Sequence, residues 1–122
     1  MIVRHMLHKE TALDRMFQAL ADPSRRAMVA RLSRGPASVG ELARPLAMSL
    51  PAVMQHLRML EASGVVRSAK IGRVRTCRIE PQALSLAEQW ISARRANWQH
   101  SLDRLDDYLA AQTDKPKHGS KT

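Results

Sequence analysis

The sequence predicts a mainly helical domain with one small β-hairpin, and three features of residues 38–79 support this prediction. A capping box at Ser38 and Glu41 opens a short helix, because each side chain can bond a backbone N–H of the first turn. A second helix follows over residues 50–63, and the two-residue turn Gly72–Arg73 then joins two basic strands. Helix, turn, helix and basic hairpin, in that order, make a winged helix-turn-helix.

The composition indicates one folded, strongly basic domain. The 122 residues are 44% hydrophobic but only 3% aromatic, so Leu, Val, Ala and Met must fill a modest core. The chain has 20 Lys and Arg against 11 Asp and Glu, a net charge of +9. Such a balance favours a polyanionic partner, nucleic acid before an acidic membrane surface. A merely soluble basic protein is the alternative at this level.

Cysteine content and hydropathy predict a cytoplasmic protein. Cys77 is the only cysteine, so no internal disulfide can form, which suits a reducing compartment. No apolar run approaches the roughly twenty residues of a membrane span, and we expect no membrane partner. We predict a mobile leader at residues 1–10, a DNA-binding and dimerisation domain at residues 11–112, and a disordered basic tail at residues 113–122.

Two helices are predicted ahead of the capping box. Apolar residues at three- and four-residue steps predict a first helix over roughly residues 11–21. Asp22–Pro23 supplies a cap and a first-turn proline for the second helix, which Gly35–Pro36 ends. In the third helix, Pro45 should stop the helical turns early and lengthen the turn that follows.

The helix over residues 50–63 has two unlike faces. At about 100° per residue, Gln55 and Arg58 fall opposite an apolar ridge. The ridge consists of Leu50, Val53, Leu57 and Leu60. Because the ridge fixes the helix to the core, we expect the face with Gln55 and Arg58 to point outward.

Pro81 begins a long last helix, roughly residues 82–112. Its apolar residues recur at three- and four-residue steps and exceed what one small domain can cover. Pairing with a second copy of the chain would bury them, so we expect a homodimer. Trp90 and Trp98 are expected in its core, with the lining of a small-molecule site as the alternative.

The outward face of the 50–63 helix suits a major groove, where the N-terminal residues of a recognition helix come nearest the bases. Gln55 can bond adenine in a bidentate way, and Arg58 can bond guanine or a phosphate. Ala52 offers apolar contact to a thymine methyl, and Ser49 suits a phosphate oxygen.

The hairpin over residues 65–80 follows this helix directly and is basic. Arg73 at its tip is the best candidate to reach a minor groove or a flanking phosphate. A solvated hairpin without DNA contact is the alternative. For His56, an internal hydrogen bond at the helix margin is an equal alternative to a DNA contact. The predicted DNA-binding residues are Ser49, Ala52, Gln55, His56, Arg58, Lys70, Arg73 and Arg75.

Residues 13–81 resemble the ArsR family of bacterial winged-helix repressors. The resemblance rests on ALADPSRRAMVARL for the opening helical pair, SVGELARPLAMSLPAVMQHLRMLEASGVV for the helix-turn-helix and IGRVRTCRIEP for the wing. The last helix, with AEQWISARRANWQHSLDRLDDYL, resembles a subgroup not built around metal. The resemblance implies a homodimeric repressor that binds an inverted repeat in double-stranded DNA through a dimer formed by the first and last helices. The predicted interface residues are Leu13, Met16, Phe17, Trp90, Ile91, Trp98, Leu102 and Leu105.

The departures from that family bear on metal and redox chemistry. Its metal sensors carry a Cys-x-Cys site on the third helix, where this chain has ELARPLA. Of the ligands of a second metal site found in the family, this chain has only His100 and Asp103. Such a pair is more typical of a helix surface, so we predict no metal and no cofactor. Cys77 is interpreted as a small apolar filler; the alternative is a redox sensor activated by Arg75 and Arg78.

Three function classes compete. A sequence-specific transcriptional repressor is favoured over a winged-helix module that binds nucleic acid or protein without sequence preference. An enzyme is not expected, because the chain has no phosphate-cradling glycine loop and no HExxH motif, and Asp103 and Asp107 are read as balancing Arg104. A small-molecule effector is a further partner that the sequence leaves open.

Overall fold

The computed structural model describes the backbone of residues 2–121 and the side chains of residues 11–113. In chain order its elements are α1 (Ile2–Leu20), α2 (Pro23–Leu32), β1 (Ala37–Ser38), α3 (Val39–Ala43), a 3-10 turn (Arg44–Leu46), α4 (Leu50–Ala62), β2 (Val66–Ile71), β3 (Val74–Ile79) and α5 (Pro81–Lys121). The chain divides into two compact units, of which the first ends at Ala87 and the second begins at Glu88.

Side-chain caps begin α2 and α3, as predicted, and a third cap begins α4. The carboxylate of Asp22 accepts a backbone N–H of α2, and Ser49 does the same for α4. Ser38 and Glu41 form both hydrogen bonds of the capping box. Because a cap satisfies N–H groups that have no partner inside the helix, these residues fix where each helix starts.

The turn between α3 and α4 is long, as Pro45 predicts. Helix α3 ends at Ala43, and the chain continues as a 3-10 turn that contains Pro45. Ala47 then adopts a left-handed backbone with φ 51°. This bend separates α3 from α4 before Ser49 caps α4.

The sheet has three antiparallel strands in the order β1–β3–β2. Gly72 has φ 65° at the first position of the hairpin turn, which a type II′ turn requires. The third strand was not predicted: β1 pairs Ala37 with Cys77 and Ser38 with Thr76 across the edge of β3.

The core of the first unit is aliphatic and sulfur-containing, as the low aromatic content predicts. Val53, Leu57 and Leu60 of α4 are fully buried in it. Leu50 was predicted on the same ridge but is 56% exposed, because it occupies the first turn of α4, ahead of the buried positions. The other buried residues are Leu13, Met16, Ala19, Met28, Leu32, Ala37, Leu42, Val65, Val66, Cys77 and Ala87.

The first and last helices have wider bounds than predicted. Helix α1 begins at Ile2 instead of near residue 11, and α5 spans Pro81–Lys121. The mobile leader at residues 1–10 and the disordered tail at residues 113–122 stay predictions, because nearly all of their side chains lie outside the described residues. None of the helices in the described part has an apolar stretch long enough to cross a bilayer.

Candidate nucleic-acid interface

Helix α4 is fixed on one face and exposed on the other. Val53, Leu57 and Leu60 are buried in the core, whereas Gln55 and Arg58 on the opposite face are exposed. An amide that can bond a base edge and a guanidinium that can bond a base or a phosphate therefore share one outward face, about one turn apart. This is the arrangement that a recognition helix needs.

Ser49, predicted to contact a phosphate, caps the start of α4. The hydroxyl of Ser49 accepts the backbone N–H of Ala52 at 3.3 Å, which leaves its own proton available to an oxygen outside. Ala52 is half-buried and exposes only part of its methyl group, so any contact from it is small. The N-terminal position also carries the positive end of the helix dipole.

The structure assigns His56 an internal partner. Its Nδ1 accepts from Nη1 of Arg25 at 3.3 Å and lies 3.8 Å from Oδ2 of Asp22, and its side chain is 19% exposed. Because a guanidinium only donates, Nδ1 carries no proton in this contact. Of the two alternatives for His56, the internal hydrogen bond is the one present, and a direct DNA contact stays a prediction.

Arg25 joins the end of α1 to the middle of α4. Its Nε donates to the carbonyl of Ala19 at 2.6 Å and its Nη2 to the carbonyl of Gln18 at 3.1 Å. Its Nη1 reaches His56 and also Sδ of Met59 at 3.3 Å. Sequence reasoning missed this residue, since 31 residues separate Arg25 from His56 and no local pattern connects them.

Asp22 completes this cluster. The backbone N–H of Arg25 donates to its carboxylate at 3.0 Å and holds the pKa of Asp22 below its ordinary value. The carboxylate that caps α2 therefore also lies beside His56 and Arg25. The position of α4 relative to α1 and α2 depends on polar contacts as well as on the core.

The wing carries the other predicted cations. Lys70 and Arg75 are exposed and directly opposite each other on β2 and β3, and Arg73 is exposed in the turn. Like charges directly opposite in a sheet destabilise it. Nη1 of Arg75 donates to the hydroxyl of Ser68 at 2.8 Å, which holds the guanidinium on the strand face that also carries Cys77.

The base of the wing is packed and paired. Arg67 donates to Glu80 at 2.9 Å between Nε and Oε2. Cys77 is fully buried, and burial raises the pKa of its thiol even though Arg75 acts in the opposite direction. A neutral, buried thiol matches the interpretation of Cys77 as an apolar filler.

Comparison with known proteins identifies the family. Residues 20–69 match a family model described as a helix-turn-helix domain. The chain is 49% identical over 72 residues to the HTH-type transcriptional regulator Rv2034 of Mycobacterium tuberculosis (strain ATCC 25618 / H37Rv), covering 59% of this chain and 67% of that protein. It is 50% identical, with a TM-score of 0.69, to a crystal structure of an ArsR family transcriptional regulator, covering 74% of this chain and 93% of that one. The chain belongs to the ArsR family.

Membership of the ArsR family confirms the predicted resemblance and the winged helix-turn-helix fold. It makes the chain a DNA-binding transcriptional regulator, as its relatives are. A second relative is the HTH-type transcriptional repressor SmtB of Mycobacterium tuberculosis (strain ATCC 25618 / H37Rv), 40% identical over 62 residues. That match covers 51% of this chain and 46% of SmtB, so the chain spans about half of that relative.

The predicted dimer residues of this ArsR-family chain fall into two groups. Leu13 and Met16 are buried in the core of the first unit, with 8% and 1% exposure, so they have almost no surface to offer a partner. Their helical stripe faces their own domain instead. The exposed residues of the predicted set are Phe17 in the first unit and Trp90, Ile91, Trp98 and Leu105 in the second, with Leu102 half-buried.

The second unit also shows how one of its tryptophans is held. The guanidinium of Arg94 lies over the ring of Trp90, 4.9 Å from the ring centre. This cation–π contact joins two residues that lie about one helical turn apart on α5. Within the described part of the chain, His, Cys, Asp and Glu side chains nowhere gather in threes that could hold a metal ion.

Proposed function

We propose that this ArsR-family chain is a homodimeric transcriptional repressor, which places residues 50–63 in the major groove of an inverted-repeat operator and residues 65–80 on flanking DNA. The observation that supports this most directly is the two-faced α4. Its buried ridge fixes its rotation, and the exposed Gln55 and Arg58 are left on the surface that would meet base edges.

The charge of the wing supports DNA as the partner. Lys70 and Arg75 oppose each other across the hairpin at a cost to the free chain, and Arg73 adds a third exposed cation between the strands. Phosphate oxygens would relieve that repulsion on binding. These contacts would position the protein and strengthen binding at every sequence, whereas Gln55 would select the sequence.

The apolar residues of the second unit support a dimer. Ile91, Trp98, Leu105 and Leu109 are each about half exposed or more, and they recur at steps of seven, seven and four residues along α5. A stripe of this spacing is typical of a helix that pairs with another helix. Two copies related by a two-fold axis would read two half-sites, which is why we propose an inverted repeat.

The dimer has a direct test. Trp98 is 65% exposed in the single chain, and Trp98→Asp places a charge on this apolar stripe. The substitution should shift the sedimentation coefficient at micromolar concentration from that of a dimer to that of a monomer. Gln89→Asp, an exposed polar position of the same helix, is the matched control. A monomeric parent chain would exclude the dimer.

The repressor role follows from occupancy of DNA. A dimer bound across a promoter excludes the transcription machinery without any catalytic step, so we propose no enzymatic activity and an action in the cytoplasm, where the chromosome lies. The name of SmtB as a repressor points the same way. The inducer would be whatever weakens this dimer on DNA.

The DNA site is tested by selecting duplexes from a random pool with the parent chain and titrating variants against the selected duplex and a scrambled one. Gln55→Ala should lower the ratio of the two affinities, with each lost bidentate base contact contributing about 1–3 kcal/mol. Arg73→Ala should weaken both duplexes alike and reduce the slope of log affinity against log salt by about 1. Arg104→Ala, an exposed arginine outside α4 and the wing, should change neither.

The same titration separates the alternatives. If the parent chain selects no sequence but binds all duplexes, it is a winged-helix module that binds nucleic acid without sequence preference. If it selects a sequence and both variants bind like the parent, the site lies elsewhere on the surface. Transcription from a promoter that contains the selected duplex then distinguishes repression from activation.

A further inference from the structure

One acidic residue stands inside the basic surface proposed for DNA. Between Leu50 and Ile79, Glu61 is the only carboxylate in the sequence. A carboxylate beside phosphates weakens binding, because like charges repel. Its presence at the end of α4 therefore needs a compensating contact.

The structure shows what Glu61 contacts. The hydroxyl of Ser68 on β2 donates to Oε1 of Glu61, and Nη1 of Arg75 on β3 donates to the same hydroxyl at 2.8 Å. A hydroxyl has one proton and two lone pairs, and a guanidinium only donates. The chain of bonds thus runs in one direction, from Arg75 to Ser68 to Glu61.

We infer that Glu61, acting through Ser68, is a positioning residue that orients Arg75 toward the DNA duplex. The inference rests on the proposed function, since it assigns Arg75 to the phosphate contacts. Ser68 commits its proton to the carboxylate and so presents a lone pair to the guanidinium. Arg75 is exposed and uses one of its five N–H donors in the hydrogen bond to Ser68. The other four donors are available to an oxygen of the duplex.

The two hydrogen bonds from Arg75 to Ser68 and from Ser68 to Glu61, here called the relay, connect the wing to α4. Glu61 lies in the last turn of α4 and Ser68 lies two residues into β2, so the bond fixes the hairpin against α4 by side chains as well as by the core. The wing cation and the base-reading face would then move as one body. Without the relay, Arg75 would be one flexible side chain facing the repulsion of Lys70.

The relay and simple electrostatics predict opposite signs for one substitution. Glu61→Gln removes a negative charge near the proposed DNA surface, so charge alone predicts tighter binding to every duplex. The relay predicts weaker binding to the selected duplex, because the neutral amide holds Ser68 and Arg75 less firmly. Binding to the scrambled duplex should weaken to a similar extent, because phosphate contacts do not depend on sequence.

A double-mutant cycle on Ser68 and Arg75 gives the full test, using the duplex selected by the parent chain and a scrambled duplex. Ser68→Ala should lower affinity for the selected duplex by about five- to tenfold, the lower range for a partly exposed hydrogen bond to a charged group. In the Arg75→Ala background it should have no further effect. Ser68→Thr keeps the hydroxyl and should restore most of the affinity.

The salt dependence, the double-mutant cycle and the selection by the parent chain test different parts of the inference. The slope of log affinity against log salt should become shallower in Ser68→Ala as well as in Arg75→Ala, which a purely structural serine would not cause. Additive losses in the cycle, or a Glu61→Gln variant that binds both duplexes more tightly, would overturn the inference and leave the proposed function standing. A parent chain that selects no sequence would overturn both.

Discussion

Arg25 offers the sharpest test of how α4 is held. It donates to two carbonyls at the end of α1 and to His56 on α4, and we expect Arg25→Ala to loosen both helices. Arg26 is a matched control, since its Nη1 also donates to an α1 carbonyl, that of Leu20 at 2.8 Å, but the contact is exposed. Both substitutions remove one positive charge from neighbouring positions of α2.

The magnitudes follow from the contacts. A hydrogen bond from a charged donor contributes about 1.5 kcal/mol or more when it is shielded from water, and less when it is exposed. Arg25 makes two part-buried bonds, to the Ala19 carbonyl at 2.6 Å and a longer one to His56 at 3.3 Å, and an exposed bond to the Gln18 carbonyl at 3.1 Å. Arg25→Ala should therefore lower the free energy of unfolding by about 2 kcal/mol, and Arg26→Ala by about 0.5 kcal/mol.

Urea denaturation followed by circular dichroism measures the difference. All variants must be compared at one protein concentration, because dimerisation would make the apparent stability depend on it. Similar m-values would show that the compactness of the denatured state is unchanged. If the two alanine variants agree within about 0.5 kcal/mol, the bridge from α1 to α4 does not stabilise the fold and the reasoning is wrong.

Three further predictions concern single groups. The pKa of Asp22 is lowered chiefly by the backbone N–H of Arg25, so its charged form stabilises the fold above its ordinary pKa and that stability is lost as pH falls through the lowered value. Asp22→Asn keeps a cap, so the urea midpoint of unfolding should fall less steeply below about pH 4 than it does in the parent chain. The same dependence on acid pH in both chains would contradict this. Because burial raises the pKa of the Cys77 thiol, labelling by a disulfide reagent at neutral pH should be slow and should accelerate with urea, whereas reaction at the rate of free cysteine would refute it. Gly64 has φ +82°, so Gly64→Ala should cost about 1–2 kcal/mol in thermal or urea unfolding, while Gly40→Ala in α3 should be neutral or stabilising.

The sequence predicted what depends on neighbouring residues. The buried face of α4 followed from the spacing of Val53, Leu57 and Leu60, and the capping box followed from Ser38 and Glu41. These signals are local, because helix periodicity and caps act within one or two turns.

Features that depend on distant residues could not be predicted from the pattern. Strand β1 has two residues, too few for a period, and its pairing of Ala37 with Cys77 spans forty positions of the chain. The bond between Arg25 and His56 also joins segments with no shared pattern. The prediction that Leu50 is buried was wrong for another reason. The angle around the helix shows which side a residue occupies, but it does not show whether the core extends along the axis as far as the first turn.

Helix α4 is held at three points by residues other than Gln55 and Arg58, which are proposed to contact the DNA. Ser49 caps the start of the helix, His56 is held from α2 in its middle, and Glu61 bonds the wing at its end. Gln55 lies among these fixed points, and a change of one residue in helical phase would turn it by about 100° away from a base edge. Substitution of Glu61 should therefore change how the wing and α4 together meet the duplex without removing any group that would touch a base. We therefore expect the sequence preference to depend on how α4 is held as well as on the side chains that α4 carries.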